Sequence, residues 1–346
     1  MRNFLDKTKR TLFGSSWINY VVVVIIFILL YIFVTTGVFN RYLTSLTILI
    51  LVMIIMSTSL NVATGFLGQL HLGHAAFMGI GAYTAAIIAI ALADQIDSGL
   101  LLFLIATGSA MVTTSIAGLL IGAPALRLRG DYLGIMTLGF GEMVKTIITN
   151  MKGLTNGAQG LYGIPKIMTF PIAFWSTAIV VTLIFLFMNS RHGRAILSIR
   201  EDEIASESVG INITRYKLTG FVIASMFAGV GGSILAFTIG FIAPTSFGFL
   251  KSVEIFVIVV LGGMGSLSGS IISSIVLVSL PELLRDFAEY RYLLYSTLLV
   301  LIMLFRPQGL MGTKEFNIPA FLRNTKQKMI QLKLKFSKKR SEGSDS

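Results

Sequence analysis

Residues 61–83 read NVATGFLGQLHLGHAAFMGIGAY, and four side chains there, Asn61, Gln69, His71 and His74, carry hydrogen-bonding groups inside an apolar stretch. Hydrocarbon penalises such groups, so they belong in a protein interior or along a water-filled path. His71 and His74, at i and i+3, would suit a shared metal ion. No carboxylate or thiol lies near in sequence, and His192 is the one other histidine. Zinc sites take three or four protein ligands, so no metal or cofactor is expected. Gly65, Gly68 and Gly73, followed by Gly79 and Gly81, allow close helix approach or an unwound backbone. A second interruption, LGGMGSLSG at 261–269, repeats that rhythm with Gly262, Gly263, Gly265 and Ser266. An apolar helix follows each, which suggests two related halves, and paired glycine-broken segments point to a transport pathway. Tight helix packing alone would use the same glycines.

The second stretch with chemistry to offer is a polar island at 190–217, SRHGRAILSIREDEIASESVGINITRYK. Arg191, Arg194, Arg200, Arg215 and Lys217 place it in the cytoplasm by the positive-inside rule. The spacing of Ile196, Ile199 and Ile204 predicts one helix over 195–209. Arg200, Glu201, Asp202 and Glu203 break its apolar stripe, and Gly210 with Asn212 stops it. Such a helix, held between two spans, suits the docking of a soluble partner. A solvated connecting loop is the plainer alternative, but most connections between packed elements are far shorter.

The elements that position these stretches are membrane helices. The chain has 346 residues, 54% hydrophobic and 13% charged, with 34 glycines and a mean hydropathy of +0.82. Those values exclude a soluble globular domain and predict an all-α, polytopic helical bundle. At about twenty residues per crossing, the apolar runs give roughly ten spans, some of them half-helices. They fall at 18–39, 42–63, 74–93, 100–121, 132–150, 174–188, 218–241, 252–261, 268–284 and 292–305. The chain then divides into a basic cytoplasmic N-terminus (1–17), a transmembrane domain (18–310) and a basic cytoplasmic tail (311–346). Both termini, Arg127, Arg129 and the island then lie inside, which requires an even number of crossings.

The formal charge of +12 sits mostly at the ends, with Arg2, Lys7, Lys9 and Arg10 at one and a lysine-rich tail at the other. That placement fits anionic membrane lipid better than nucleic acid. The tail at 321–336 reads equally as an amphipathic surface helix or a solvated segment. Glu142 and Lys145 are spaced to pair, with snorkelling of Lys145 to the interface the safer expectation. Glu282, Arg285, Asp286, Glu289 and Arg291 read as a solvated outer cap. With no cysteine, disulfides are excluded. Neither a phosphate-binding GxxxxGK[ST] loop, an HExxH pair nor a GxSxG elbow occurs, so catalysis by this chain is not expected.

Five stretches together resemble the LivM-type permeases: GQLHLGHAAFMGIGAY at 68–83, LRLRGDYL at 126–133 with TLGFGE at 137–142, IREDEIA at 199–205 with Gly210, VLGGMGS at 260–266 and FRPQGL at 305–310. These are transmembrane subunits of high-affinity branched-chain amino acid ABC importers. The motifs run in order over most of the chain. The resemblance implies a multi-pass subunit of a bacterial inner membrane. Its partners would be a second, LivH-like permease, two cytoplasmic ATPase subunits and an extracytoplasmic solute-binding protein. It also makes the island the coupling segment that enters a cleft of an ATPase subunit. The general importer pattern EAAxxxG is matched in part: Ala205 and Gly210 fit, Ile204 and Ser206 replace its first and third residues, and Glu203 stands one place early. Permeases for urea and short amides look similar. An ion-coupled secondary transporter using His71, His74 or Glu142 as proton carriers is the competing class, and the chain is poor in the intramembrane carboxylates it would need.

Overall fold

A computed structural model describes residues 21–126, 128, 130–285, 290–306 and 308–312. The basic N-terminus, Arg127, Arg129, Asp286, Glu289 and the tail from 313 onward, including 321–336, lie outside the described residues. Helix α1 (Val21–Thr35) belongs to a unit separate from residues 39–315, and its Phe27 and Tyr31 rings stack at 5.6 Å.

The larger unit is all helical among the described residues. Its helices are α2 (Arg41–Asn61), α3 (His74–Leu92), α4 (Gly99–Ala125), α5 (Asp131–Asn150), α6 (Lys152–Thr155), α7 (Phe170–Asn189), α8 (Arg191–Glu201), α9 (Glu203–Ser208), α10 (Ile213–Ile239), α11 (Phe249–Gly262), α12 (Leu267–Leu283) and α13 (Arg291–Phe305). Among the described residues extended pairing is limited to one antiparallel bridge, Leu161 with Ile242, which ties the loop after α6 to the end of α10.

Every predicted span coincides with a helix, but only six described helices are long and apolar enough to cross a membrane. Helix α5 is interrupted in its apolarity by Asp131, Thr137, Glu142 and Lys145, while 21–35, 267–283 and 291–305 are shorter. The structure thus supports a multi-pass helical protein without reaching the count of ten.

Glycines set the core. A methyl on Gly81 of α3 would lie 2.4 Å from Gly229 Cα of α10, and one on Gly232 would lie 2.0 Å from Met78 O. On the other side of α10, a methyl on Gly229 would come 2.5 Å from Thr114 Oγ1 of α4. Small residues bring these backbones into contact, as lipid supplies no hydrophobic drive for helix association. Helix α2 lies beside α12 through Ser57, whose Oγ is 2.8 Å from Ser274 Oγ. It lies beside α7 through Thr177, whose hydroxyl donates to Leu51 O at 3.5 Å.

The polar island differs from the single helix its isoleucine spacing predicts. It is two helices, α8 and α9, meeting at Asp202, which has φ −153 and ψ 112. The physical reason is local: Asp202 Oδ1 accepts from Ala205 N at 2.9 Å and so caps a new helix start. Lys145 also departs from the snorkelling expectation. It pairs with Glu142 at 2.9 Å, and Glu142 Oε1 accepts from Phe249 N, so the carboxylate joins α5 to the start of α11.

Candidate functional site

Helix α2 does not end at Asn61 but runs on through a π turn, Val62–Phe66. Gly65 permits it: a methyl there would lie 1.7 Å from Asn61 Oδ1 and 2.3 Å from Gly265 N. The two glycine-broken stretches are therefore in direct contact. Asn61, fully buried, joins them. Its Oδ1 accepts from Gly265 N at 2.8 Å, and its Nδ2 donates to Ser266 O at 2.9 Å and Ser270 Oγ at 2.8 Å.

The second stretch has its polar groups met. Ser266 Oγ caps α12 by accepting from Gly269 N at 3.0 Å, and Ser273 Oγ donates to Ile258 O of α11 at 2.7 Å. A methyl on Gly269 would sit 2.2 Å from Gly262 O, so α11 and α12 touch backbone to backbone. The chain after α13 straps across the same break. Leu310 N donates to Leu261 O at 2.7 Å, Met311 N donates to Gly262 O at 3.2 Å, and a methyl on Gly263 would reach Gly312 O at 2.3 Å.

The first stretch is met only in part. Residues 67–73 link the π turn to α3. A methyl on Gly73 would come 2.1 Å from Thr137 O, and Leu72 N donates to Thr137 Oγ1 at 3.1 Å, so this segment rests on α5. Ala75 N donates to Ser252 Oγ of α11 at 3.1 Å. His74 Nε2 lies 2.9 Å from Ser59 Oγ. His71 is 2% exposed, its ring 4.9 Å from Phe221 and 5.6 Å from His74, nearly perpendicular to each. Both His71 ring nitrogens, His74 Nδ1, Gln69 Oε1 and Thr64 Oγ1 are buried without a hydrogen-bond partner. Such groups are costly to leave unmet, and one short segment holds all five.

On the island, α8 buries Gly193, Ile196 and Ile199, while Ser190 and Asn212 cap the starts of α8 and α10. Glu203 forms an ion pair with Lys217. Glu201, Asp202, Ala205 and Gly210 are exposed, as are two large apolar side chains, Ile204 at 82% and Val209 at 76%. Gly210 has φ +87, a backbone that favours glycine. Arg200 alone of the island's charged run turns toward the membrane portion. A methyl on Gly68 would lie 3.2 Å from its Cγ, and one on Gly265 would lie 2.7 Å from its Nη1.

Sequence reasoning kept the glycine stretches and the island apart as two kinds of site; the fold brings Gly68, Gly265 and Arg200 together. It also passed over Ser57, Ser59, Ser252, Ser270 and Ser273, and it met Thr137 and the start of the 309–312 strap only as parts of family motifs. The run SGSIISS at 268–274, with hydroxyls three and four apart on an apolar helix, was the available signal.

Residues 42–305 match the family model described as "Branched-chain amino acid transport system / permease component". The chain is 39% identical to the high-affinity branched-chain amino acid transport system permease protein LivM of Salmonella typhimurium, over 75% of this chain and 68% of that protein. It is 29% identical to the corresponding permease protein BraD of Pseudomonas aeruginosa, and 28% identical to LivH of Escherichia coli K12. In each case 72% of this chain and 88% of the relative are covered. With a family match over most of its length and a six-helix apolar body built around two touching glycine breaks, the chain belongs to the branched-chain amino acid transport system permease component family.

Proposed function

We propose that this chain is the membrane-embedded permease subunit of an importer that moves leucine, isoleucine and valine, with ATP hydrolysed by partner subunits. Its partners in this reading are a second, LivH-like permease, two cytoplasmic ATPase subunits and an extracytoplasmic solute-binding protein. About ten crossings, with both termini and residues 190–217 in the cytoplasm, complete the arrangement. The substrate pathway draws on Asn61, Gln69, His71 and His74 and on the glycine breaks at 65–73 and 262–266.

One observation carries the coupling part of this reading: Ile204 on α9 and Val209 at its C-terminal cap are 82% and 76% exposed, with Glu201, Asp202 and Glu207 exposed near them in sequence. Large apolar side chains on a short polar connection are what a docking helix offers a cleft, with acidic neighbours setting orientation. Glu203, engaged by Lys217, contributes to the helix pair's attachment instead.

The test is Ile204→Asp with Val209→Asp in the importer reconstituted with its partners in proteoliposomes. Expected are unchanged membrane insertion and melting temperature, loss of uptake, and loss of the ATPase stimulation caused by loaded binding protein. Wild-type uptake and stimulation in the double variant would make the island a connecting loop. A single cysteine at Ile204 should react with an impermeant thiol reagent from the cytoplasmic side alone; reaction from outside would overturn the orientation.

A further inference from the structure

The guanidinium of Arg200 has no carboxylate partner among the described residues, although three acidic residues follow it in sequence. Neighbouring positions on a helix do not face one another, so Glu201 is poorly placed to neutralise it. Glu203 is committed to Lys217. The side chain runs instead across the meeting point of the two glycine breaks. Its stem passes Gly68, which has φ +70, and its head reaches Gly265, which has φ +89. Both positions have a backbone that L side chains rarely adopt, and at both an added Cβ would press on Arg200. Gly265 is at the same time held by Asn61 through its N–H.

Helix α8, which carries Arg200, is itself fixed to the membrane portion. Ile196 is fully buried, and a methyl on Gly220 of α10 would lie 2.5 Å from Leu67 Cδ1 and 3.4 Å from Ile196 Cδ1. Leu67 directly follows the π turn. The island therefore meets the first break at Gly68 and the second at Gly265, and Arg200 is the island side chain that reaches both.

We propose that Arg200 is a positioning residue, a strut between the cytoplasmic helix pair α8–α9 and the crossing of the two glycine breaks. Displacement of the island is thereby passed to the backbone at 62–68 and 263–266. The proposal rests on the transport reading for its functional consequence, but the strut itself does not. A planar head on a long apolar stem fits this task, since the stem packs over Gly68 while the head stays near the polar backbone of the break.

Two variants test it, Arg200→Ala and Arg200→Lys, in the full chain purified with its partner subunits. Amide hydrogen exchange of peptides covering 62–73 and 263–266 is the first readout. Basal and stimulated ATPase and substrate uptake are the second. Arg200→Ala should speed exchange in both peptides, and lower uptake and stimulated ATPase, each by about tenfold, with basal ATPase and subunit assembly retained. Arg200→Lys, which keeps the charge but loses the fork, should retain most of the defect. Unchanged exchange in Arg200→Ala overturns the strut, as does full recovery by lysine, which would mean that charge alone matters, for a lipid phosphate or an ATPase surface. Faster exchange with wild-type uptake and stimulation reduces Arg200 to a folding contact and also overturns the proposal. A wild-type complex that shows no ATP-driven uptake, while Arg200→Ala still loosens both peptides, removes the transport reading and keeps the strut.

Discussion

The two glycine breaks look alike in sequence and are finished differently in the fold. At 261–269 the serines cap or bridge helices, the 309–312 segment straps across, and backbone packs on backbone. At 62–74 the π turn is wound around Gly65, and five polar atoms on Thr64, Gln69, His71 and His74 are left buried and unmet. One break is a fastening. The other has five buried polar atoms that no protein group meets. In the transport reading proposed above, the first break is where a passing polar solute would exchange its water, and the second is the frame against which it would work.

The variant with the largest expected effect removes the link between the breaks. Asn61→Leu leaves Gly265 N without its acceptor and takes one donor each from Ser266 O and Ser270 Oγ, and should cost about 3 kcal/mol of stability, read as a lower melting temperature in detergent. Unchanged melting would mean that the breaks are held together without Asn61. Next, Gly65→Ala drives a methyl into Asn61 and the Gly265 backbone and should cost about 2 kcal/mol, with the π turn giving way. Wild-type melting in that variant would show that the turn has room to spare.

The comparison itself is tested by a pair of milder changes. Ser273→Ala, in the satisfied break, should lose about 1 kcal/mol by removing the hydroxyl bond from α12 to Ile258 O of α11. His71→Phe, in the unsatisfied break, should leave melting unchanged or raise it, because an apolar ring of similar shape removes two unmet nitrogens. Uptake should nevertheless fall in His71→Phe. If melting drops and uptake is retained, His71 is a structural residue and the contrast between the breaks dissolves. The change on the island has the most local effect: Gly210→Ala, at φ +87, should cost about 1 kcal/mol, detected as earlier unfolding of α9 by hydrogen exchange.

The membrane class, the all-helical architecture and the positions of the helices were legible in the sequence, because long apolar runs have few ways to satisfy their backbones in lipid. Helix edges on the island followed less closely: Ser190 and Asn212 cap the starts of α8 and α10, where the sequence pattern places a start at 195 and a stop at Asn212. The break at Asp202 was less legible, because the isoleucine spacing on both sides continues one periodic stripe while a single carboxylate interrupts it. The π turn after Asn61 was hidden for another reason. It depends on Gly265, more than two hundred residues away in the chain.

For the candidate site, the sequence by itself determined which residues were unusual: polar groups and glycines in an apolar run, and a charged island between spans. It could not say which of them meet. Only the tertiary structure decided that Asn61 bonds across to Gly265 and Ser266, that Glu203 is taken by Lys217, and that Arg200 leaves its acidic neighbours for the two glycine breaks. Local pattern fixes helices because their hydrogen bonds lie within a few residues. Contacts between helices depend on which backbones can approach, and that is settled by glycines facing one another from distant parts of the chain.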